Sequence, residues 1–381
     1  MNTIENQRKK IAVIGATGSV GSSVLSVCRS HADEIEIVGL AAKRPSEKLK
    51  SLASEFGTKT VLACDECGVK GLCELAESPE VDHVVFASSG TDAIPALQRA
   101  LSAGKEVSLA NKESVVVAGP WVMPLITRQD QLRPLDSEHN AIWQCLHGER
   151  GADGKPAVRR IFLTASGGPF RDWPERELKT VTPEMALRHP VWAMGAKITI
   201  DSVTLMNKGI ELIEAMFLFG LEPAQVDALI SPGSFVHGLV EFSDGSVKML
   251  AATPDMRLPA ASCLFWPERR YPAPDFEPPL LSPRTVSFEP PDAERFPAMK
   301  LARYAMERKG PYPAALVGAD EVAVERFLKG EIGFLDIARA VEEVLAACTL
   351  PAPSSLEEAL DTLDWARRQA AEVCAQMGKP R

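Results

Sequence analysis

Two carboxylates stand two positions apart in Asp136-Ser137-Glu138-His139-Asn140, directly after the apolar strand end Pro134-Leu135. In extended backbone, side chains two apart point the same way, so both carboxylates can converge on one cation. Oxygen donors favour Mg²⁺ or Mn²⁺ over zinc. An isolated Asp-x-Glu pair is more often the ordinary composition of a solvated loop, so the pair gains weight only from a second polar cluster. That cluster is IDSVTLMNKGIELIEA. Helical spacing sets Asn207 and Glu211 four apart and Lys208 and Glu211 three apart, so an amide, a cation and a carboxylate line one broad face. Ser202, beside the expected helix start, adds a hydroxyl that can share a phosphate with Asn207 and Lys208. The bland alternative is an exposed stripe with a Lys208–Glu211 ion pair. It loses ground because Ile210, Leu212, Ile213 and Phe217 make this the conspicuously polar face of an otherwise apolar helix.

A third motif, Gly15-Ala16-Thr17-Gly18-Ser19-Val20-Gly21, follows a buried-type strand and opens a helix. Its glycines permit a tight turn and close backbone approach to a pyrophosphate, whose charge meets unpaired N–H groups at the helix start. An NAD-binding chain usually ends its second strand on an acidic residue that grips the ribose; here Lys43 and Arg44 stand instead. Cations at that position suit a 2′-phosphate, so the expected cofactor is NADPH.

The elements that must position these groups follow from periodicity. Residues 1–135 alternate short apolar strands (IAVIG, IEIVGL, VDHVVFAS, EVSLAN) with amphipathic helices, the pattern of a parallel sheet covered on both faces. This predicts an α/β protein: a Rossmann-type NADPH domain at 1–135, then a central α+β catalytic domain at 136–266. The central region holds a long segment, 167–196, suited to a lid, a periodic helix from Asp201 to Phe219, and two strands joined by Asp244-Gly245. Residues 267–292 are proline-rich and read as a linker. Residues 293–381 carry apolar positions three and four apart and form a C-terminal helical bundle.

Composition excludes several classes. A chain of 381 residues with 45% hydrophobic and 24% charged residues is an ordinary globular protein large enough for more than one core. A net charge of −9 argues against a broad nucleic-acid or membrane surface, though a local basic pocket can still take an anion. No apolar run is long enough to span a bilayer and no signal-peptide core is present, so a cytoplasmic location is expected. The eight cysteines then read as reduced thiols. Cys64, Cys67 and Cys73 lack a suitably spaced fourth soft ligand and are expected to be free thiols on a surface turn rather than a zinc site.

Taken in order, GATGSVG, ANKES, DSEHN, TASGGPF, HPVWAMGAKITIDS, MNKGIELIEA and DGSV…PDMR…WPER resemble the 1-deoxy-D-xylulose 5-phosphate reductoisomerase family of the non-mevalonate isoprenoid pathway, from about residue 10 to 270. FLKGEIGFLDI resembles its C-terminal region. The resemblance implies three domains, a homodimer, NADPH, a divalent cation (Mg²⁺ or Mn²⁺, with Co²⁺ as a further option), and a small phosphorylated sugar that rearranges to a branched aldehyde before reduction. It implies that Asp136, Glu138 and Glu211 are the metal ligands and that Lys112 and Ser137 contact the substrate beside them. Ser166, Ser202, Asn207 and Lys208 would hold the phosphate; His189 would face the substrate, and Trp192, on the same loop, would close over it. Gly15, Thr17, Gly18, Ser19, Val20, Ala42, Lys43, Arg44, Asn111, Glu113 and Gly195 fall at cofactor-contact positions. The chain departs from the family pattern at Val191, at Ser88-Ser89-Gly90-Thr91 and at Gly318-Ala319-Asp320-Glu321. A semialdehyde dehydrogenase, which shares the GATG turn, would need a nucleophilic cysteine; Cys145 sits among helix-like apolar positions that suit a buried thiol. A catalytically idle NADPH-binding regulator is the other alternative, disfavoured by the complete set of polar site residues.

Overall fold

Six short apolar runs become the strands of one parallel sheet: β1 (Lys9–Ile14), β2 (Ile35–Ala42), β3 (Thr60–Ala63), β4 (His83–Phe86), β5 (Glu106–Leu109) and β6 (Leu132–Pro134). Their spatial order is β3-β2-β1-β4-β5-β6, the doubly wound order in which the chain reverses direction between β1 and β4. β4 is buried along its whole length and β1 over its last four residues, as a sheet covered on both faces requires. The computed structural model describes residues 8–151, 154, 156–188, 195–279 and 285–378, and these form two compact units. The first comprises residues 1–114, 122–140 and 255–278; the second comprises 115–121, 141–254 and 279–381.

The first unit is therefore not one continuous stretch. The sequence suggests that 136–266 forms one region, whereas the helix Arg257–Phe265 packs in the core of the first unit. Its Ala260, Ala261, Cys263 and Leu264 are buried with Val24, Leu25, Ile37 and Leu135. The polar carbonyls at its end are met by cations: Lys9 Nζ donates to Leu264 O at 3.0 Å and Arg133 Nη1 to Cys263 O at 2.6 Å. Positive charge is favourable at a helix C-terminus, where carbonyls lack intrahelical partners. Cys64, Cys67 and Cys73 lie on a helix, Cys64–Glu77, broken at Gly68, rather than on a turn, and all eight cysteines are free thiols.

The second unit is built on a four-stranded mixed sheet of β7 (Val158–Ala165), β8 (Val226–Ile230), β9 (Val236–Phe242) and β10 (Val247–Ala251), in the order β10-β9-β7-β8. β7 and β8 are parallel and β9 runs antiparallel to β7 and β10. The expected Asp244-Gly245 turn joins β9 to β10, with Asp244 Oδ1 accepting from Ser246 N at 2.9 Å. Over residues 196–219 the chain forms two helices, Ala196–Thr204 and Met206–Phe219, rather than one helix from Asp201. Leu205, at φ 63°, is a left-handed break between them.

The C-terminal helices Ala298–Arg308, Tyr312–Leu328, Phe334–Ala347 and Leu356–Met377 belong to this same unit. Two glycines set their closest approaches. A Cβ on Gly209 would lie 2.5 Å from Ala302 Cβ, and one on Gly318 would lie 2.5 Å from Leu363 O. In the proline-rich segment, Glu289 bridges to Ile230 at the end of β8 and Phe276 is buried in the first unit, so neither part is a free linker. No helix among the described residues is long and apolar enough to cross a membrane.

Candidate active site

The glycine turn occupies the switch point of the first sheet. Gly15 has φ 94°, and a Cβ there would lie 2.4 Å from Ser88 N, so only glycine fits where β1 meets the turn after β4. A Cβ on Gly21 would lie 2.3 Å from Gly15 O, which accounts for the close seating of the helix Ser19–Ser30 on the turn. A glycine turn that opens a helix at this point of the sheet is the arrangement that takes a dinucleotide pyrophosphate, whose charge meets the N–H groups of the helix start. Thr17, Gly18, Ser19 and Val20 form that opening.

Ala42 closes β2, and the following Lys43 and Arg44 are mostly exposed, in loose pairs with Asp92 (3.6 Å) and Asp65 (3.4 Å). Such exposed pairs are weak and leave both cations available to an anion. Sequence reading missed Lys48, whose Nζ donates to Thr17 O at 2.8 Å and Ser22 Oγ at 3.1 Å. Only its place one helical turn beyond the basic pair hinted at it. Asn111 is buried and structurally employed: it donates to Gly90 O at 2.7 Å and accepts from Ser114 N at 2.9 Å, as an N-cap of the helix Lys112–Val122. Glu113, in the first turn of that helix, is also buried. Gly195 lies in the second unit, before the helix Ala196–Thr204, where a Cβ would meet nothing within 4 Å.

The acidic pair sits on different backbone from that expected. Asp136 O accepts from Asn140 N at 2.8 Å, so a helix opens at Asp136 and runs Ser137–Leu146, with Glu138 in its first turn. The polar run after β6 caps and starts a helix rather than extending the strand. Lys112 Nζ lies 2.9 Å from Asp136 Oδ2 and His139 Nδ1 lies 3.6 Å from it. Burial opposes ionisation of Asp136, but Lys112 and His139 outweigh it and hold the carboxyl well below the usual carboxylate range. Ser137 Oγ donates to Glu138. His139 is fully buried, and no role was legible for it in the sequence.

In the second unit, β7 ends beside Ser166, whose Oγ accepts from Gly168 N at 3.3 Å. A Cβ on Gly168 would lie 3.4 Å from Val203 Cα and 3.7 Å from Ser202 O, so this loop abuts the end of the helix Ala196–Thr204. Ser202 therefore sits in the last turn of one helix, not beside the start of the next, while Asn207 and Lys208 begin the second helix. Asn207 Nδ2 and Lys208 Nζ both donate to the Glu211 carboxylate. This polar face is not a solvated stripe: Lys208 is 4% and Glu211 1% exposed. Glu214, equally buried, is a further polar residue that the reading passed over; its spacing from Glu211 was the available signal. His189, Val191 and Trp192 lie outside the described residues. Cys145 is buried on the helix Ser137–Leu146, so the thiol a semialdehyde dehydrogenase would require is not presented.

The doubly wound sheet with its glycine cradle, joined in one chain to a unit bearing buried polar groups, defines a dinucleotide-dependent oxidoreductase of the Rossmann class. Family models refine this: that of 1-deoxy-D-xylulose 5-phosphate reductoisomerase matches residues 11–70 and 63–119, that of its C-terminal domain matches 132–219, and that of the DXP reductoisomerase C-terminal domain matches 251–369. The chain is 43% identical over 384 residues to the 1-deoxy-D-xylulose 5-phosphate reductoisomerase of Chlorobaculum tepidum, covering 96% of this chain and 99% of the relative. It is 40% identical to that of Rippkaea orientalis, covering 97% and 98%. A solved DOX-P reductoisomerase in complex with NADPH, fosmidomycin and magnesium superposes with a TM-score of 0.87 at 35% identity, covering 96% of this chain and 98% of that one. The Zymomonas mobilis enzyme in complex with NADPH gives 0.84 at 38% identity, covering 97% and 99%. The chain belongs to the 1-deoxy-D-xylulose 5-phosphate reductoisomerase family.

Proposed function

We propose that this chain converts 1-deoxy-D-xylulose 5-phosphate to 2-C-methyl-D-erythritol 4-phosphate, using NADPH and a divalent cation. The observation that carries the reading is the polar set on the helix Met206–Phe219, where buried Lys208 and half-buried Asn207 both donate to the buried Glu211 carboxylate. Burying these groups in a stable fold is costly unless they serve a ligand, and a phosphate at the start of the helix Met206–Phe219 supplies one. Ser166, Ser202, Asn207 and Lys208 hold that phosphate in this reading. The family's similarity along the whole chain supports it.

Asp136, Glu138 and Glu211 are the proposed ligands of the cation; their donor set suits Mg²⁺ and Mn²⁺, with Co²⁺ also accommodated. The ionised state of Asp136 fits that role. When bound, the cation supplies Lewis-acid stabilisation of developing oxyanion charge, and NADPH supplies the hydride. Lys112 and Ser137 orient substrate beside the carboxylates; His189 and Trp192, which the resemblance assigns to the substrate, lie outside the described residues. Gly15, Thr17, Gly18, Ser19, Val20, Ala42, Asn111, Glu113 and Gly195 bound the cofactor, while Lys43 and Arg44 take its 2′-phosphate. The first unit, rather than residues 1–135 alone, supplies the cofactor domain; 141–254 supply the phosphate-binding region and 293–381 its helical support.

The protein works in the cytoplasm as a homodimer in this reading. The outer strand β10 leaves Val247 and Met249 51% and 47% exposed, an apolar edge that a second copy would cover. The test is NADPH oxidation by the purified chain with 1-deoxy-D-xylulose 5-phosphate and Mg²⁺ or Mn²⁺. Turnover that needs both cation and sugar phosphate, is blocked by fosmidomycin and is slower with NADH is expected. No oxidation under any of these conditions overturns the reading, and equal efficiency with NADH overturns the role of Lys43 and Arg44.

A further inference from the structure

We propose that Asp320, acting through Lys197, is a positioning residue for the substrate's phosphate group; the inference rests on Ser202 being one of that group's ligands. Lys197 Nζ lies 2.6 Å from Asp201 Oδ2, one turn along its own helix, and 2.8 Å from Asp320 Oδ2 on the helix Tyr312–Leu328. All three belong to the second unit. The side chains of Asp201 and Asp320 are 4% and 0% exposed, and that of Lys197 is 26% exposed. The second oxygen of Asp320 has no hydrogen-bond donor among the described residues. A buried carboxylate in that situation is strongly unfavourable without its cation, so Lys197 is held where it stands.

The helix that carries Asp320 is itself a fixed support. The close contact at Gly318 seats it on the helix Leu356–Met377, and Arg367 Nη2 meets the next residue, Glu321, at 2.6 Å. Lys197 and Asp201 share one face of the helix Ala196–Thr204, four residues apart. Ser202 follows Asp201 by about 100° around that helix, so a pin on the Lys197–Asp201 face sets the direction of the Ser202 hydroxyl. The helix ends at Leu205, one residue before the segment carrying Asn207 and Lys208, so the pin also fixes where the break falls. Asp320 reaches none of the reacting atoms in this scheme. It supplies the anchor, Lys197 the link and Ser202 the contact.

The experiment is steady-state kinetics of the full chain with NADPH and Mg²⁺, varying 1-deoxy-D-xylulose 5-phosphate, with inorganic phosphate as a competitive inhibitor. Asp320→Leu keeps a branched side chain, though a larger one, and removes the acceptor. It is expected to raise KM for the sugar phosphate about tenfold and the phosphate inhibition constant in proportion, with kcat within about twofold and KM for NADPH unchanged. Asp320→Asn, whose amide oxygen still accepts from Lys197, should recover most of the loss. Unchanged KM and phosphate inhibition in folded Asp320→Leu, or parallel changes in both KM values, overturns the inference. If Asp320→Leu does not fold, Lys197→Met carries the same expectations and the same overturning result. Ser202→Ala separates the two layers. If it leaves phosphate inhibition unchanged, the phosphate assignment fails and this inference falls with it; if it weakens phosphate while the Asp320 and Lys197 variants do not, only the positioning role fails.

Discussion

Glu211 is 1% exposed and its carboxylate takes hydrogen bonds from both Asn207 and Lys208. A carboxylate buried this deeply must be matched by positive charge, and an amide alone would not do it. The same charge that Lys208 neutralises is the charge a divalent cation would exploit. Glu211→Gln keeps the shape and the bond to Asn207 while removing the negative charge. Calorimetric titration with Mg²⁺ should then show affinity reduced at least about tenfold, and the thermal midpoint should fall because buried Lys208 loses the carboxylate charge it is paired with. Mg²⁺ affinity equal to that of the parent chain would remove Glu211 from the metal set. Lys112 occupies the equivalent station beside Asp136 and holds that carboxyl ionised, so each proposed ligand region already contains a cation next to a carboxylate.

At the scale of elements, the first sheet is joined to the helix Arg257–Phe265 by a buried polar network. Glu106 on β5 meets Lys9 at 2.7 Å, Arg133 at 3.0 Å and His83 Nδ1 at 3.3 Å, while His83 Nε2 lies 2.7 Å from Ser108 Oγ. Burial pushes the His83 pKa down from 6.5 to about 4, and Glu106, despite its own burial, is held well below the usual carboxylate range by His83 and Lys9. Because the folded imidazole resists a proton that the unfolded chain accepts, the stability it contributes is complete above pH 6.5 and falls as pH drops toward about 4. The loss from this one group is on the order of 3 kcal/mol. Urea melts across this range should show a flatter decline in His83→Gln than in the parent chain; parallel declines would mean that His83 does not titrate in this way. Little of this network was legible in advance, since His83 and Glu106 look like ordinary strand residues until β4 and β5 are laid side by side. The strands themselves were legible, because a sheet covered on both faces demands unbroken apolar runs and the glycine turn marks its switch point. The helix opening at Asp136 was misread because the carboxylates follow a strand directly and only the bond from Asn140 N reveals the cap. The break at Leu205 left no trace either: left-handed backbone at a leucine is a tertiary outcome, opposed by the residue's own preference.

For the whole molecule, the decisive feature is that the chain leaves the first unit after Asn140 and returns to it at Asp255. Sequence periodicity could not show this, because Arg257–Phe265 is a short, mostly apolar stretch that any neighbouring core could accept. The returning segment fills a gap that the first 140 residues cannot close alone. Without it, Leu25, Val27, Ile37 and Leu135 lose their apolar cover, and the burial of Ala260, Ala261, Cys263 and Leu264 is forfeited. Each large apolar side chain exposed in this way costs about 1.5–3 kcal/mol, against a typical total stability of about 5–15 kcal/mol for a domain. Lys9 and Arg133 would also lose the carbonyls they now satisfy. Residues 1–140 expressed alone should therefore lack a cooperative unfolding transition and bind NADPH poorly. The same residues followed by a flexible glycine–serine linker and residues 255–278 should regain a cooperative melt and NADPH-dependent stabilisation. Should residues 1–140 melt cooperatively and bind cofactor as well as the linked form, the returning helix would be a passenger on a core already complete without it.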